Sequence, residues 1–309
     1  MPTAASVLWF RRDLRLYDLP PLLEAAGSGG SVLACFVLDP RLEAAAGPRR
    51  LQYIGDALRE VNDALDGRLL IARGRPEDLI PQICAAVDAT AVHISADFSP
   101  FGVRRDRAVG AALSAAGIPL VATGSPYLVS PGRVTKDDGT PYKVFTPFFS
   151  RWREIGWRSP AQSDPAMASW LDPARTAGLP APANAPNPGM ALDAPAGEAA
   201  ARSRWAEFLA DGIADYAADR DRPDRPGTSR MSAHLKFGTI HPRTMAADLT
   251  LRDSGPGAYL RELAFRDFYA AVLHQRPASA WHNWNSAFDA IEVDTSTEAR
   301  AAFETWKQG

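Results

Sequence analysis

Two stretches in the second half of the chain concentrate residue types that can do chemistry. Gly227-Thr228-Ser229-Arg230-Met231-Ser232 sets three hydroxyls and one guanidinium behind a glycine that frees the backbone, just before a helical pattern. Donors placed at a helix N-terminus suit a phosphate or pyrophosphate. Capping of that helix by Thr228 or Ser229 uses the same residues and, for the segment alone, is the simpler reading. The second stretch is Tyr259–Tyr269. At helical spacing Leu260, Leu263, Ala264 and Ala271 make one apolar stripe, and Glu262, Phe265, Arg266 and Tyr269 fall at i, i+3, i+4 and i+7 on a second face. An acid, a base and two aromatics on one face can stack on a nucleobase and hydrogen-bond its edge. A core-facing aromatic edge with a surface Glu262–Arg266 pair explains the same pattern, and both readings stay open.

Between these stretches lies a basic cluster, Arg220, Arg222, Arg225, Arg230, Lys236 and Arg243, diluted by Asp219, Asp221 and Asp224. A solvated charged loop is its ordinary meaning, and contact with DNA phosphates becomes the better one only if the neighbouring sites hold. The formal net charge of −2 excludes a global basic excess, so a nucleic-acid site must be a local patch. After the first strand Phe10-Arg11-Arg12-Asp13-Leu14-Arg15 stands where a Gly-x-Gly-x-x-Gly would be, so the standard dinucleotide fingerprint is absent. Arg11, Arg12 and Arg15 could bind an anion, but pairing with Asp13 and Asp18 at the surface is preferred. Cys35 and Cys84 sit in apolar stretches outside any Cys-x-x-Cys pair and read as buried reduced thiols. Val7–Phe10 is too short for a signal peptide and no run approaches the roughly 20 apolar residues of a membrane span, so the expectation is a cytoplasmic protein.

The elements that must position these residues alternate in the first half. Strand patterns at Ser6–Phe10, Val32–Leu38, Leu69–Ala72, Ala91–Ser95 and Leu120–Thr123 are interleaved with amphipathic stretches such as Leu51–Leu65 and Arg104–Ala115. This order predicts a five-stranded parallel sheet with helices on both faces, and ligands beyond the carboxyl ends of its strands. Gly124–Phe149 reads as an irregular excursion. Ser159–Gly197, dominated by Pro and Ala, reads as a long linker wrapped on a surface. From Glu198 the patterns are helical, best at Ala199–Leu209, Met231–Phe237, Pro242–Leu251 and Gly257–Leu273. The division is an α/β domain over 1–150, a linker over 151–197 and a helical domain over 198–309.

Taken in order, four segments resemble the photolyase/cryptochrome family, most of all bacterial class I cyclobutane pyrimidine dimer photolyases. Leu8–Leu16 resembles the family's first strand and turn, and Gly139–Phe148 the stretch that closes its α/β domain. Thr228–Ser232 resembles its flavin phosphate loop, and Glu262–Tyr269 the helix facing flavin and DNA. The resemblance implies FAD in the helical domain, lined by Tyr216, Thr228, Ser229, Arg230, Met231, Ser232 and Tyr259. It implies a dimer flipped from DNA, with Glu262 hydrogen-bonding it, Phe265 stacking on it, and Arg220, Arg266 and Tyr269 toward the DNA. No metal is implied, and the protein is expected to be a monomer. Asp97–Asp106, after the fourth strand, carries Gly102 where folate-binding relatives place a carboxylate; this favours a deazaflavin antenna pigment, with Gly102 opening room for its ring. Phe265 stands where many relatives have Trp. Val293 falls where many carry the outer member of a tryptophan relay; Trp281 or Trp284 could substitute for it, with packing the preferred role of both. The family continues past Trp306-Lys307-Gln308-Gly309 with a Gly-Tyr-Pro or Gly-Phe-Pro motif and more helices. The sequence is therefore expected to lack the part that clamps the flavin ring, and Ala199–Leu209 and Gly257–Leu273 to expose apolar surface. Blue-light signalling without repair is the family's other activity.

Overall fold

The computed structural model describes residues 5–176, 178–179, 183–250 and 254–308. Five strands, β1 (Ala5–Phe10), β2 (Ser31–Leu38), β3 (Leu69–Arg73), β4 (Ala89–Ile94) and β5 (Leu120–Ala122), pair in parallel in the order β3-β2-β1-β4-β5. Helices α1 (Pro20–Gly27), α2 (Pro40–Glu43), α3 (Pro48–Ala64), α4 (Pro76–Ala86) and α5 (Pro100–Ser114) each open on a proline. The ring presets the helical φ, and the missing N–H is one the first turn could not have used.

Alternate strand residues serve opposite faces. Val7, Trp9, Leu33, Cys35 and Val37 pack with Ile80, Ile83, Val109 and Leu113 of α4 and α5. Leu8, Phe10, Val32, Ala34 and Phe36 pack with Leu22, Ala25, Ala57 and Leu58 of α1 and α3. Burial on both faces is why the strands read as unbroken apolar runs. Both cysteines are free and buried, and burial pushes the Cys84 thiol up to about 12.

The Pro/Ala-rich segment lies along this layer. Ala161 donates to Asp18 (2.7 Å), Ser163 joins Leu19 N–H and Leu16 C=O (2.8 and 2.7 Å), and Ala183 donates to Ile71 C=O (2.8 Å). It also supplies a two-residue strand, β6 (Ser169–Trp170), parallel to Ser31 and Val32 of β2. β3 begins its pairing only at Ala34, so β6 covers an edge that would otherwise stay open. The excursion expected over 124–149 ends early, in α6 (Phe145–Ile155), where Phe145, Phe148 and Trp152 make a buried helical stripe.

The remaining helices are α7 (Glu198–Asp211), α8 (Tyr216–Asp219), α9 (Ser232–Phe237), α10 (Pro242–Ala247), α11 (Ser254–Gln275) and α12 (Thr297–Gln308). α10 stops at Ala247, with Asp248 as its C-cap, short of the helix expected over Pro242–Leu251; Leu251 itself and Gly309 lie outside the described residues. α11 is central: Tyr259, Leu260, Leu263, Ala264, Phe268 and Ala271 join α6 and α7 in one core. Among the described residues no helix is long and apolar enough to cross a membrane.

The first turn of the chain is bonded directly to the helical part. Glu198 accepts from Leu16 and Tyr17 N–H (2.6 and 3.1 Å), and Arg15 donates to Gly238 C=O (3.0 Å). Gly238 has φ 68°, and a side chain there would run into the Arg12 carbonyl. Surface pairing of Arg11 and Arg15 is therefore corrected. Both are buried; Arg11 meets Asp106 (2.6 Å) and the Ser95 carbonyl, while Asp18 pairs with Arg243.

The apolar or aromatic surface expected on α7 and α11 is present only in part. Among the described residues α7 shows no large exposed hydrophobic and α11 only Tyr269. Trp281, Phe288, Ile291, Val293, Phe303 and Trp306 are exposed instead. Trp281 is 86% exposed and Trp284 lies under Arg276 (5.2 Å), so neither packs into a core.

Candidate functional site

The loop 227–232 is held from below. Trp205, Phe208, Tyr216 and Tyr259 form a buried aromatic group with ring centroids 5.0 to 6.0 Å apart. Ser229 Oγ meets the Tyr259 hydroxyl at 2.7 Å, and Arg204 donates to Ser229 C=O (3.0 Å). Burial raises both the Tyr259 and the Tyr216 phenol, with Glu262 adding to the second. The Met231 side chain is core, leaving only its backbone toward the loop. No side chain caps α9; Ser229 accepts from Met231 N–H at 3.4 Å instead, so the capping alternative fails.

Thr228, Arg230 and Ser232 are exposed. Arg230 has φ 56°, unusual for a side-chain-bearing residue, and no described side chain pairs with it. A fixed backbone presenting two hydroxyls and a free guanidinium fits an anionic group such as a cofactor diphosphate.

The face read on α11 divides. Glu262 does not pair with Arg266; it accepts from Arg220 of α8's C-cap at 2.5 Å, which holds that guanidinium further toward its charged form. Phe265 is half-buried against Phe145 of α6, with ring centroids 3.4 Å apart and planes at 8°, and Arg261 lies over both. Tyr269 is exposed, 6.2 Å from Phe265 and nearly parallel to it. Arg266 does not face outward. It donates to the carbonyls of Pro126 (2.6 Å) and Leu235 (3.3 Å) and sits over Tyr127, so α11 uses it internally. Burial lowers its pKa.

The basic cluster likewise forms no single patch. Arg222 pairs with Asp224 and Arg225 with Asp219 (2.7 Å each), and Arg243 is buried on Asp18. Arg220 reaches Glu262 on the α11 face, Arg230 lies in the loop itself, and Lys236 turns to the cavity at the sheet's edge.

A cavity of about 310 Å³ opens beyond the carboxyl ends of β1 and β2 and reaches the residues after β4, across the β1–β4 point where strand order reverses. Trp9, Phe36, Leu38, Ile54 and Phe101 give it flat apolar walls, with Arg11, Arg12, Arg50, Arg105 and Lys236 around them. Burial, then Arg12 and Arg50, lower the Lys236 ammonium. Burial works against ionisation of Asp97, but Arg12 and Arg105 hold its carboxyl low. Asp97, Ser99, Phe101 and Arg105 line the cavity, as expected for the stretch after the fourth strand. Gly102 does not: a side chain there would meet the Asp97 carboxylate, so its smallness serves packing inside α5. Phe36, Ile54 and Lys236 were missed, because only the fold brings β2, α3 and α9 to one space.

The model of the family described as DNA photolyase matches residues 6–168. A deoxyribodipyrimidine photo-lyase of a Synechococcus strain is 32% identical over 99% of this chain and 67% of its own length. A bacterial class III photolyase from Agrobacterium tumefaciens superposes with TM-score 0.85 at 25% identity, over 99% of this chain and 66% of the other. A Synechocystis cryptochrome shares the fold, with TM-score 0.83 at 20% identity over 99% and 68%. The chain spans about two thirds of the length of these relatives. With the parallel sheet, the buried junction and the α11 face in place, the match over most of the α/β layer and the whole-chain identity settle the assignment: the chain belongs to the DNA photolyase family.

Proposed function

We propose that this chain forms the α/β and flavin-facing part of a light-driven enzyme that repairs cyclobutane pyrimidine dimers in DNA. The observation that supports it most directly is Glu262, one-third exposed on α11 beside Phe265 and close to the buried Tyr216–Tyr259 group. FAD, when bound, supplies light-driven one-electron chemistry. The side chains do the rest. Arg230, Thr228 and Ser232 neutralise and hydrogen-bond its diphosphate, while Ser229, Met231, Tyr216 and Tyr259 form the wall behind it. Arg220 contacts the DNA backbone. Phe265 and Tyr269 stack on the dimer once it is flipped from the duplex. Glu262 hydrogen-bonds the dimer and acts on the chemical step more than on binding. Arg266 keeps its place near the DNA face only as a support for residues 126 and 235.

In this reading residues 1–150 carry the antenna, 151–197 are the connecting strap, 198–309 carry the flavin and lesion face, and the protein works as a monomer. The cavity beyond β1 and β2 takes an antenna chromophore, a deazaflavin rather than a folate. Its aromatic walls suit a flat tricyclic ring, and its cations suit a negatively charged one.

The test is direct. The chain is loaded with reduced FAD, mixed with an oligonucleotide carrying one thymine dimer, and illuminated with blue light. Recovery of the intact thymines by chromatography is the expected result. Retained flavin with no dimer splitting and no preference for damaged over undamaged duplex would overturn the repair reading in favour of a photoreceptor.

A further inference from the structure

Two groups of the proposed site are joined to each other. Arg220 Nη1 lies 2.5 Å from Glu262 Oε1, and both side chains are about one-third exposed (31% and 34%). Arg220 also reaches Asp221 at 3.5 Å. α8, which leads into Arg220, packs against α11, which carries Glu262, so the backbone sets the pair. Each group occupies what the other needs for its task. A carboxylate only accepts, and the lone pair and orientation given to Arg220 are not available to a donor on a base edge. A guanidinium engaged by a carboxylate has fewer donors left for a phosphate. Arg222 and Arg225, the two cations nearest in sequence, pair with Asp224 and Asp219 and not with Glu262, so Arg220 is the cation that joins this loop to the α11 carboxylate.

We propose that Arg220 and Glu262 form a DNA-sensing latch: a backbone phosphate of bound DNA draws Arg220 off Glu262, and only then is the carboxylate free to meet the lesion. This rests on the repair reading above. Arg220 is thus a positioning residue acting through Glu262, besides its contact to the strand. The latch keeps an acid that works on charged chemistry paired while no substrate is present. A part-exposed pair of this kind resists opening by no more than about fivefold in population, so one new phosphate contact suffices to open it.

The experiment uses the full chain and an undamaged, fluorescently labelled duplex, so neither flavin nor lesion enters the readout. Affinity is measured by anisotropy across a salt series for the parent, Glu262→Gln, Arg220→Gln, Arg220→Lys and the Glu262→Gln/Arg220→Gln double variant. Opening the latch ahead of binding by Glu262→Gln should tighten binding about two- to fivefold. That gain should vanish in the Arg220→Gln background. Arg220→Gln should lower the slope of log affinity against log salt by about 0.9, the loss of one phosphate contact, and Arg220→Lys should restore it. An unchanged slope in Arg220→Gln overturns the latch, as does an equal gain from Glu262→Gln in both backgrounds, which would be the removal of a like charge alone. A chain that binds duplex but behaves so loses the latch and keeps the repair reading. A chain that binds no duplex in any form loses both.

Discussion

Replacing Asp267 by Asn tests how the lesion-facing helix is anchored. Asp267 is buried on α11, two residues beyond Phe265. One oxygen accepts from Val129 N–H (2.8 Å) and from the Trp152 indole N–H (3.0 Å). The other accepts no hydrogen bond, and the Arg266 guanidinium stays 4.0 Å away. Burial therefore wins over the attraction of Arg266, and the carboxyl is pushed up from 3.8 to about 6. The sign follows. Between these values the unfolded chain has released this proton while the folded chain still holds it, so stability falls as pH rises through that window. The loss is complete above about pH 6 and amounts to about 3 kcal/mol. Asn keeps an oxygen for Val129 and Trp152 but has no proton to lose. In urea melts the unfolding free energy of Asp267→Asn minus that of the parent should rise by about 2 kcal/mol from about pH 4 to about pH 7, since part of the change already falls below about pH 4. Asp267→Ala strips both donors of their partner and should cost about 2–5 kcal/mol at about pH 4, and less at about pH 7, where the parent bears the penalty of the buried charge. Parallel pH profiles for parent and Asn variant would refute the account, because they would mean that Asp267 titrates alike in both states.

Other substitutions separate the roles assigned to the site. Arg230→Ala should cut FAD affinity about tenfold or more, read as flavin retained after dialysis, since a hydrogen bond to a charged group is worth about 1.5–3 kcal/mol. Phe265→Ala should weaken binding of dimer-containing duplex by about 1–3 kcal/mol with little change for undamaged duplex. Phe145→Ala should do the same to a smaller degree, because it removes the ring on which Phe265 lies. Glu262→Ala should slow dimer splitting while leaving flavin content near that of the parent; an unmutated repair yield would remove its assigned role. Reconstitution with each antenna pigment should quench deazaflavin fluorescence and not that of folate, and the reverse outcome would overturn the choice. Gly102→Ala should lower the melting temperature through Asp97 without closing the cavity to a pigment.

The α/β layer was legible in sequence because its physics is local and repeated. Each strand is a short apolar run bounded by turns, so all five strands, and the two helical stretches read at Leu51–Leu65 and Arg104–Ala115, fall within a few residues of expectation. Signals of composition were less faithful. Gly, Pro and Lys in 124–149 concealed the Phe145–Phe148–Trp152 stripe, which starts a helix because those three side chains have a core to enter. Pro and Ala in 159–197 suggested a linker, and composition could not show that two residues of this segment close the exposed edge of β2.

The site was legible as a set of residues and not as a set of partners, and the reason is geometric. Helical spacing states which side chains share a face; it does not state what that face meets. Glu262 and Arg266 are one turn apart and should attract, yet α11 lies so deep that Arg266 finds the Pro126 and Leu235 carbonyls, while Glu262 turns to Arg220, 42 residues away in sequence. Arg11 and Arg15 show the same effect at the junction. A surface ion pair is worth too little to hold an arginine against a buried carbonyl that lacks a donor, and the long-range fold supplies such carbonyls at Ser95 and Gly238. Spacing therefore finds where charge is stored in this chain, and the packing of α8 and α9 against α11 and of the first turn against α9 decides which charges remain free for a ligand. By that criterion Arg230 is available now, and Arg220 only once its carboxylate is exchanged for a phosphate.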